Sequence, residues 1–334
     1  MDFQIGEIHK NTPHLFADLA ELVLATGYNG RQNLHKNDLI AVIENGNISP
    51  DEIDEEYDAD NEAKLTGQTS AERNIRLEKQ LEDVLAQLGY RANSLDSFYP
   101  FNFENANLIL ISNSQLTERQ RIYRFLLACS RLRSFDNKSG LHQRWAKYFS
   151  LLSREAMRGL FPSYADVRIF DANSDDRRNY YSTNLKHAIK KLGEDLAVNI
   201  IEDGWSQLST SGDEGIDLVA TIPFDDGASA TFAFLGQCGA QETGWPAKTL
   251  EAHPINLRHL FHWQFDIPCA MFTPVYYRSS DGRWAYSKSA NGVLLIDRER
   301  ILKLIGLQDK WVEITGSEWF QNFEQEFATV NTCS

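Results

Sequence analysis

Apolar residues recur along this chain with two periods, and the change from one to the other organises the reading. Leu15, Leu19, Leu22 and Val23 follow Thr12-Pro13 and precede Gly27, a helical stripe with a start signal before it and a stop behind it. Thr69-Ser70-Ala71-Glu72 has the form of a capping box, and the helix it opens carries Leu77, Leu81, Val84 and Leu88 on one face, closed by Gly89. Thr117 predicts the start of another helix, through Arg121, Phe125, Leu126 and Leu132, and a further one is expected over residues 145–160. The run 107–112 fits a strand or a helix start, and periodicity does not decide between them. Residues 171–179 (DANSDDRRN) are low in hydrophobicity and read as a boundary.

Beyond that boundary helical and strand patterns alternate. The spacing predicts an amphipathic helix over 185–201 and strands over 215–220, 231–238, 267–275 and 292–297, the last followed by a helix over 298–304. Residues 245–263 read as largely helical, with Pro254 breaking or kinking the element. This predicts an α/β architecture, a mixed sheet flanked by helices, preceded by a mainly helical region. The expected division is a helical recognition or partner-binding region over 1–179 and a sheet domain over 180–334.

Composition sharpens this picture. The 334 residues carry a net charge of −14, with 7 Trp and 19 Phe to fill cores. No apolar run approaches the ~20 residues of a membrane helix, and no basic stretch followed by an apolar one opens the chain, so the expectation is a soluble cytoplasmic protein with no membrane partner. Its four cysteines, Cys129, Cys238, Cys269 and Cys333, are scattered and read as free thiols. The negative average hides segregation. Asp51, Glu52, Asp54, Glu55, Glu56, Asp58, Asp60 and Glu62 form an acidic segment read as a solvated linker. Residues 118–160 are strongly basic and interleaved with aromatics, and Arg121, Arg124, Arg131, Arg133, Arg144 and Lys147 are the candidates for contact with a DNA backbone. Two helices with cationic outer faces over an aromatic core would look the same in sequence.

Candidate chemistry is concentrated after the boundary. Glu194 lies on the helix containing Lys191-Leu192-Gly193-Glu194, the turn Ser211-Gly212-Asp213-Glu214-Gly215 runs into Ile216-Asp217, and the next strand ends in Gly236-Gln237-Cys238-Gly239. Hydrolysis of a phosphodiester needs a divalent ion to activate water and neutralise developing charge. Mg²⁺ is hard, prefers oxygen ligands and keeps several waters, so one or two carboxylates suffice. An Asp at a strand entrance is rigidly placed, and a nearby Lys supplies positive charge to the attacking hydroxide or the phosphate. Each residue alone reads better as ordinary surface or turn chemistry. Their order on these elements is what points to a site.

These residues resemble the Mrr-like branch of the restriction-endonuclease (PD-(D/E)xK) superfamily. In that branch a helix carries a Glu, a segment close to G-D-x-G-I-D-L-V-A supplies the central Asp, and the next strand ends in Gln-x-Lys. The resemblance covers roughly 180–307, including the late segment Gly292-Val293-Leu294-Leu295-Ile296-Asp297. It implies a restriction-endonuclease-like domain, Mg²⁺ with Mn²⁺ as a substitute, a metal held by Asp217 and Glu194, Gln237 in the second motif position, and a role in bacterial restriction or anti-phage defence. At the family's lysine position stands Gly239, and Lys248 in Trp245-Pro246-Ala247-Lys248 is assigned its role. The other implied possibility is a non-catalytic binding module of nuclease fold within a multi-protein complex. A protein partner or a homo-oligomer fits either reading. Zinc at His253, His259 and His262, a thiol nucleophile at Cys238, a serine triad at Ser211 and a calcium loop over 58–62 all lack the companion residues such sites require.

Overall fold

The computed structural model describes residues 2–8, 12–45, 47–48, 70–111, 115–224 and 226–332. The acidic segment 51–62, Thr69 of the expected capping box, and Cys333 lie outside them. The architecture is mixed α/β around a five-stranded sheet of β1 (Asp166–Ile169), β2 (Leu218–Ile222), β3 (Phe232–Cys238), β4 (Cys269–Phe272) and β5 (Leu294–Ile296). The strands lie in chain order, with β1–β2 and β2–β3 antiparallel and β3–β4 and β4–β5 parallel.

Strand side chains alternate between faces, so each strand feeds two cores. Leu218, Ala220, Phe234, Ala270 and Phe272 join the larger core, which includes Phe149 and Leu152 of α4 (Leu141–Arg158) and Ile301 and Ile305 of α6 (Arg298–Leu307). Val219, Ala233, Leu235 and Cys269 join the other core with Leu185, Ile189 and Leu192 of α5 (Leu185–Asp195). The sheet is therefore the middle of three layers.

The expected boundary at 179/180 runs through this sheet, because β1 precedes it and pairs with β2. It also runs through the larger core, which is shared with α1 (Pro13–Ala25), α2 (Ser70–Leu95), α3 (Glu118–Ser130) and α7 (Glu318–Ala328). Thr117 caps α3 with a reciprocal capping box to Gln120. The undecided run is a strand, Asn107–Leu110, paired with Phe101–Glu104. Gly89 does not close α2: it lies within the helix, where an added Cβ would approach Phe103 to 3.2 Å, so it serves packing. The helix expected over 185–201 ends at Asp195. The chain reverses through Ala197 at φ 51°, and Asn199–Ile200 pairs with Phe261–His262. Of the helix expected over 245–263 only the short 3₁₀ turn Trp245–Lys248 remains; residues 249–260 form successive turns that lead into the paired Phe261–His262. Among the described residues no helix is long and apolar enough to cross a membrane.

Deep in the larger core lies an ionic network. Arg91 of α2 donates to Asp18 (2.6 Å) and Glu21 (2.9 Å) of α1 and to the His14 carbonyl (2.7 Å). Arg298 of α6 donates to Asp18 (2.7 Å), Ser130 (3.1 Å) and the Pro274 carbonyl (2.8 Å). Tyr99 and Tyr123 donate to Glu21 at 2.8 and 2.6 Å. All four charged side chains are fully buried. Burial opposes the charge on Asp18, but Arg298 and Arg91 outweigh it and hold the carboxyl below the usual range. The stability this pairing gives is present above the unfolded carboxylate value and is lost as pH falls through the depressed folded one. Asp18→Asn, which leaves two buried guanidinium groups short of an anionic partner, is expected to cost about 3–5 kcal/mol in urea unfolding at neutral pH. A loss under about 1 kcal/mol would show that the network does not hold the fold.

Candidate active site

The carboxyl-terminal end of β3 meets the turn that leads into β2. Asp217, one residue before β2, donates its N–H to the Gly236 carbonyl (2.9 Å), and its own carbonyl accepts from Phe170 N–H (2.7 Å). Its carboxylate Oδ2 accepts from Cys238 N–H at 2.6 Å. Asp217 is thus fixed between the ends of β1 and β3. The preceding turn uses positive φ at Gly212 (109°), Glu214 (55°) and Gly215 (75°), and Asp213 stabilises it by accepting from Gly215 N–H at 3.1 Å. Asp171 follows β1 and accepts from Asn173 N–H at 2.9 Å.

Buried Arg177 ties these pieces together. Its guanidinium donates to the carbonyls of Phe170 (2.8 Å), Ser182 (2.8 Å) and Gly212 (3.0 Å), fastening the loop with Asp171 to the turn with Asp213. As a result Asp171, Asp213 and Asp217 bring one carboxylate oxygen each within 4.8 Å of one another. Burial pushes the Asp217 carboxyl up to about 8; the Cys238 N–H works against this rise, and the nearby carboxylates of Asp213, Asp171 and Glu251 add to it. Asp213 is raised as well, chiefly by burial. Like charges this close and partly withdrawn from water favour either a retained proton or a bound cation.

The acids line a cavity of about 930 Å³ together with Gln237, Glu251, Trp245 and Lys248, while Gln143, Arg144 and Lys147 of α4 line it from the helical side. Gln237 is 5% exposed, its amide nitrogen donates to Glu251, and among the described residues its Oε1 has no hydrogen-bond partner. A buried amide oxygen left without a donor is costly, so this atom marks a place for a donor or a cation. The oxygens present, three Asp carboxylates and one Gln carbonyl, form a donor set suited to a hard divalent ion.

Of the residues read from sequence, the structure brings Asp217, Gln237 and Lys248 to this cavity. Glu194 is not among its lining residues: its side chain is 60% exposed on α5 and pairs with Lys191 at 3.3 Å. Asp171, Asp213 and Glu251 take part instead. Asp213 and Asp171 were visible as turn and boundary residues, but their meeting depends on the β1–β2 pairing, which no local pattern specifies. Glu251 sits within the segment 245–263 that was read as helix.

The basic candidates separate as well. Arg131 is buried and donates to the Ile5 carbonyl and to Ser134, which removes it from any surface. Arg121 and Arg124 pair with Glu324 of α7. Arg133 reaches Gln241 on the cavity margin at 3.4 Å, and Arg144 and Lys147 line the cavity itself, although Arg144 also binds Glu326 at 2.7 Å.

Gly239 has a steric explanation. A Cβ there would lie 2.5 Å from the Trp245 Cβ and 2.7 Å from Met271 Cε. The 245–248 turn packs directly on this glycine, and the same close approach that excludes a lysine at 239 carries Lys248 to the cavity. No known protein family, curated protein or solved structure matches the chain.

Two outcomes follow. Gly239→Lys, which writes the motif lysine back in, is expected to destabilise the protein by about 1–3 kcal/mol through overpacking; wild-type stability in urea would refute the packing argument. In the cation-free protein Asp217 keeps its proton to about pH 8, whereas the unfolded chain releases it near pH ~4. The folded state therefore binds more protons between these values, and stability falls as pH rises through that window. Asp217→Asn should raise Tm at pH 8 and change it little at pH 4; an equal effect at both would contradict the assignment.

Proposed function

We propose that the chain is a divalent-metal-dependent nuclease that hydrolyses phosphodiester bonds of DNA, with a restriction-endonuclease-like domain, and that it serves in restriction or anti-phage defence. The observation that carries this reading is the convergence of Asp171, Asp213 and Asp217 within 4.8 Å in a cavity that Lys248 also lines. Asp217, Asp213, Asp171 and the free Oε1 of Gln237 are the residues that would hold Mg²⁺ or Mn²⁺. Such an ion supplies an activated water and neutralises charge on the phosphate.

The chain's own groups account for the rest. Hydrolysis forms a bond from a water oxygen to phosphorus and breaks the bond to the leaving oxygen, which takes up a proton. Cys238 N–H holds the Asp217 carboxylate at one point, so it needs no reorganisation when the phosphate arrives. Lys248 presents an ammonium group to the charge that gathers on the nucleophile and the phosphoryl oxygens. Arg144 and Lys147, on the opposite side, offset the repulsion between an acid-lined cavity and a polyanion. The glycine at 239 and the net charge of −14 favour the second reading, a nuclease-like module that binds without cutting.

Purified protein incubated with plasmid DNA and Mg²⁺ or Mn²⁺ distinguishes them. Cleavage is expected, with Asp217→Ala and Lys248→Ala each lowering its rate by at least about 10²-fold. Cleavage that survives Lys248→Ala but not Asp217→Ala would remove the lysine from the mechanism. DNA and Mn²⁺ binding without cleavage by any form would favour the binding module.

A further inference from the structure

We infer that Glu251 supplies a carboxylate ligand of the cation site in place of the strand-end position 237, and that Gln237 is its positioning residue; the inference rests on the metal-dependent reading above. Three observations converge on it. The first is the hydrogen bond from the Gln237 amide nitrogen to Glu251 Oε2. It fixes which way the amide points, so that the nitrogen serves Glu251 and Oε1 is the atom without a partner, on a side chain that is 5% exposed. An amide oriented in this way both holds a carboxylate and offers one more oxygen beside it.

The second observation is the bare backbone at Gly215. A Cβ there would lie 2.6 Å from the Cβ of Glu251, and the residue stands at φ 75°, in the left-handed region. Glu251 approaches the turn between Asp213 and Asp217 as closely as it does because position 215 has no side chain. The third is the shared cavity: Asp171, Asp213, Asp217, Gln237 and Glu251 all line it. Glu251 is an exposed residue, and it brings a fourth carboxylate to a cavity that three others already line. A cation accounts for it, because hard divalent ions draw affinity from the number of anionic oxygens around them.

Glu251 and Lys248 then belong to one segment. The strand end bears a neutral amide at 237 and a glycine at 239, and residues 245–251 fold back over both positions. The acid and the base are delivered together from this segment, seated on Gly239 and Gly215.

Calorimetric titration of the full chain with Mn²⁺, without DNA, tests this independently of cleavage. E251Q is expected to weaken Mn²⁺ binding by at least about tenfold. The double variant Q237E/E251Q, which returns the carboxylate to the strand, should recover most of the loss. E251Q binding within twofold of wild type, while D217N abolishes binding, would overturn the role of Glu251 and leave the cation site standing. D217N binding like wild type would overturn the cation site, and the inference with it. If E251Q does not fold, E251D serves: it keeps the charge but withdraws the carboxylate by one methylene. Reduced Mn²⁺ affinity in E251D supports the inference, and unchanged affinity overturns it.

Discussion

Arg298 leaves the sheet at the start of α6 and buries its guanidinium among Asp18 of α1 and Tyr123 and Ser130 of α3, while Arg91 reaches Asp18 and Glu21 from α2. Removing a charge from water costs several kcal/mol, and the cost is met only when each ion has partners of opposite sign and good geometry. Here two acids face two arginines, with tyrosines and carbonyls completing the set. Three helices from the first 130 residues and one from beyond residue 297 must therefore be in place together or not at all. The wall of the cavity depends on this arrangement, because α4 packs between the sheet and α6. A helical region that looks separable in sequence is in this way part of the support for the site.

The contrast between this network and the cavity separates structure from chemistry. Asp18 sits between arginines and its carboxyl is held low; Asp217 is pushed up to about 8 by burial first and by the acids around it second, with one backbone N–H opposing them. Arg177 is close enough to Asp213 and Asp171 to be felt by them, yet it directs its hydrogen bonds to the carbonyls of Phe170, Ser182 and Gly212. The guanidinium shapes the site without neutralising it. A half-buried cluster with excess negative charge, beside a buried amide oxygen with no donor among the described residues, has the character of a cation-binding site.

What could be read from sequence follows the range of the interactions concerned. Alternating apolar residues located all five strands but one: β1, four residues before the polar stretch 171–179, was hidden by its shortness and by the expectation of a boundary there. Asp217 and Gln237 were legible because both lie in strand context with glycine turns beside them. Lys248 was legible as a nearby charge once Gly239 was seen to lack one. Glu194 was misplaced because a charged residue on an amphipathic helix gives no sign of which edge of its polar face meets the sheet end. Asp171, Asp213 and Glu251 act through pairing and close approach over long sequence separations, and Asp18 and Glu21 were concealed inside an apolar helix whose periodicity gives no hint of arginine partners.

Glycine decides how the site is assembled. A motif written on consecutive residues of one strand fixes its groups by strand geometry alone, with successive side chains on opposite faces and every second one aligned. Here the strand end is neutral, and the charged groups come from a segment that returns across it. That solution needs two bare positions: Gly239, on which Trp245 packs, and Gly215, beside which Glu251 lies. A side chain at either would push the returning segment away and withdraw Lys248 or Glu251 from the cavity. Reading contiguous residues therefore finds the aspartate and loses its companions, whereas reading where backbone approaches backbone recovers them.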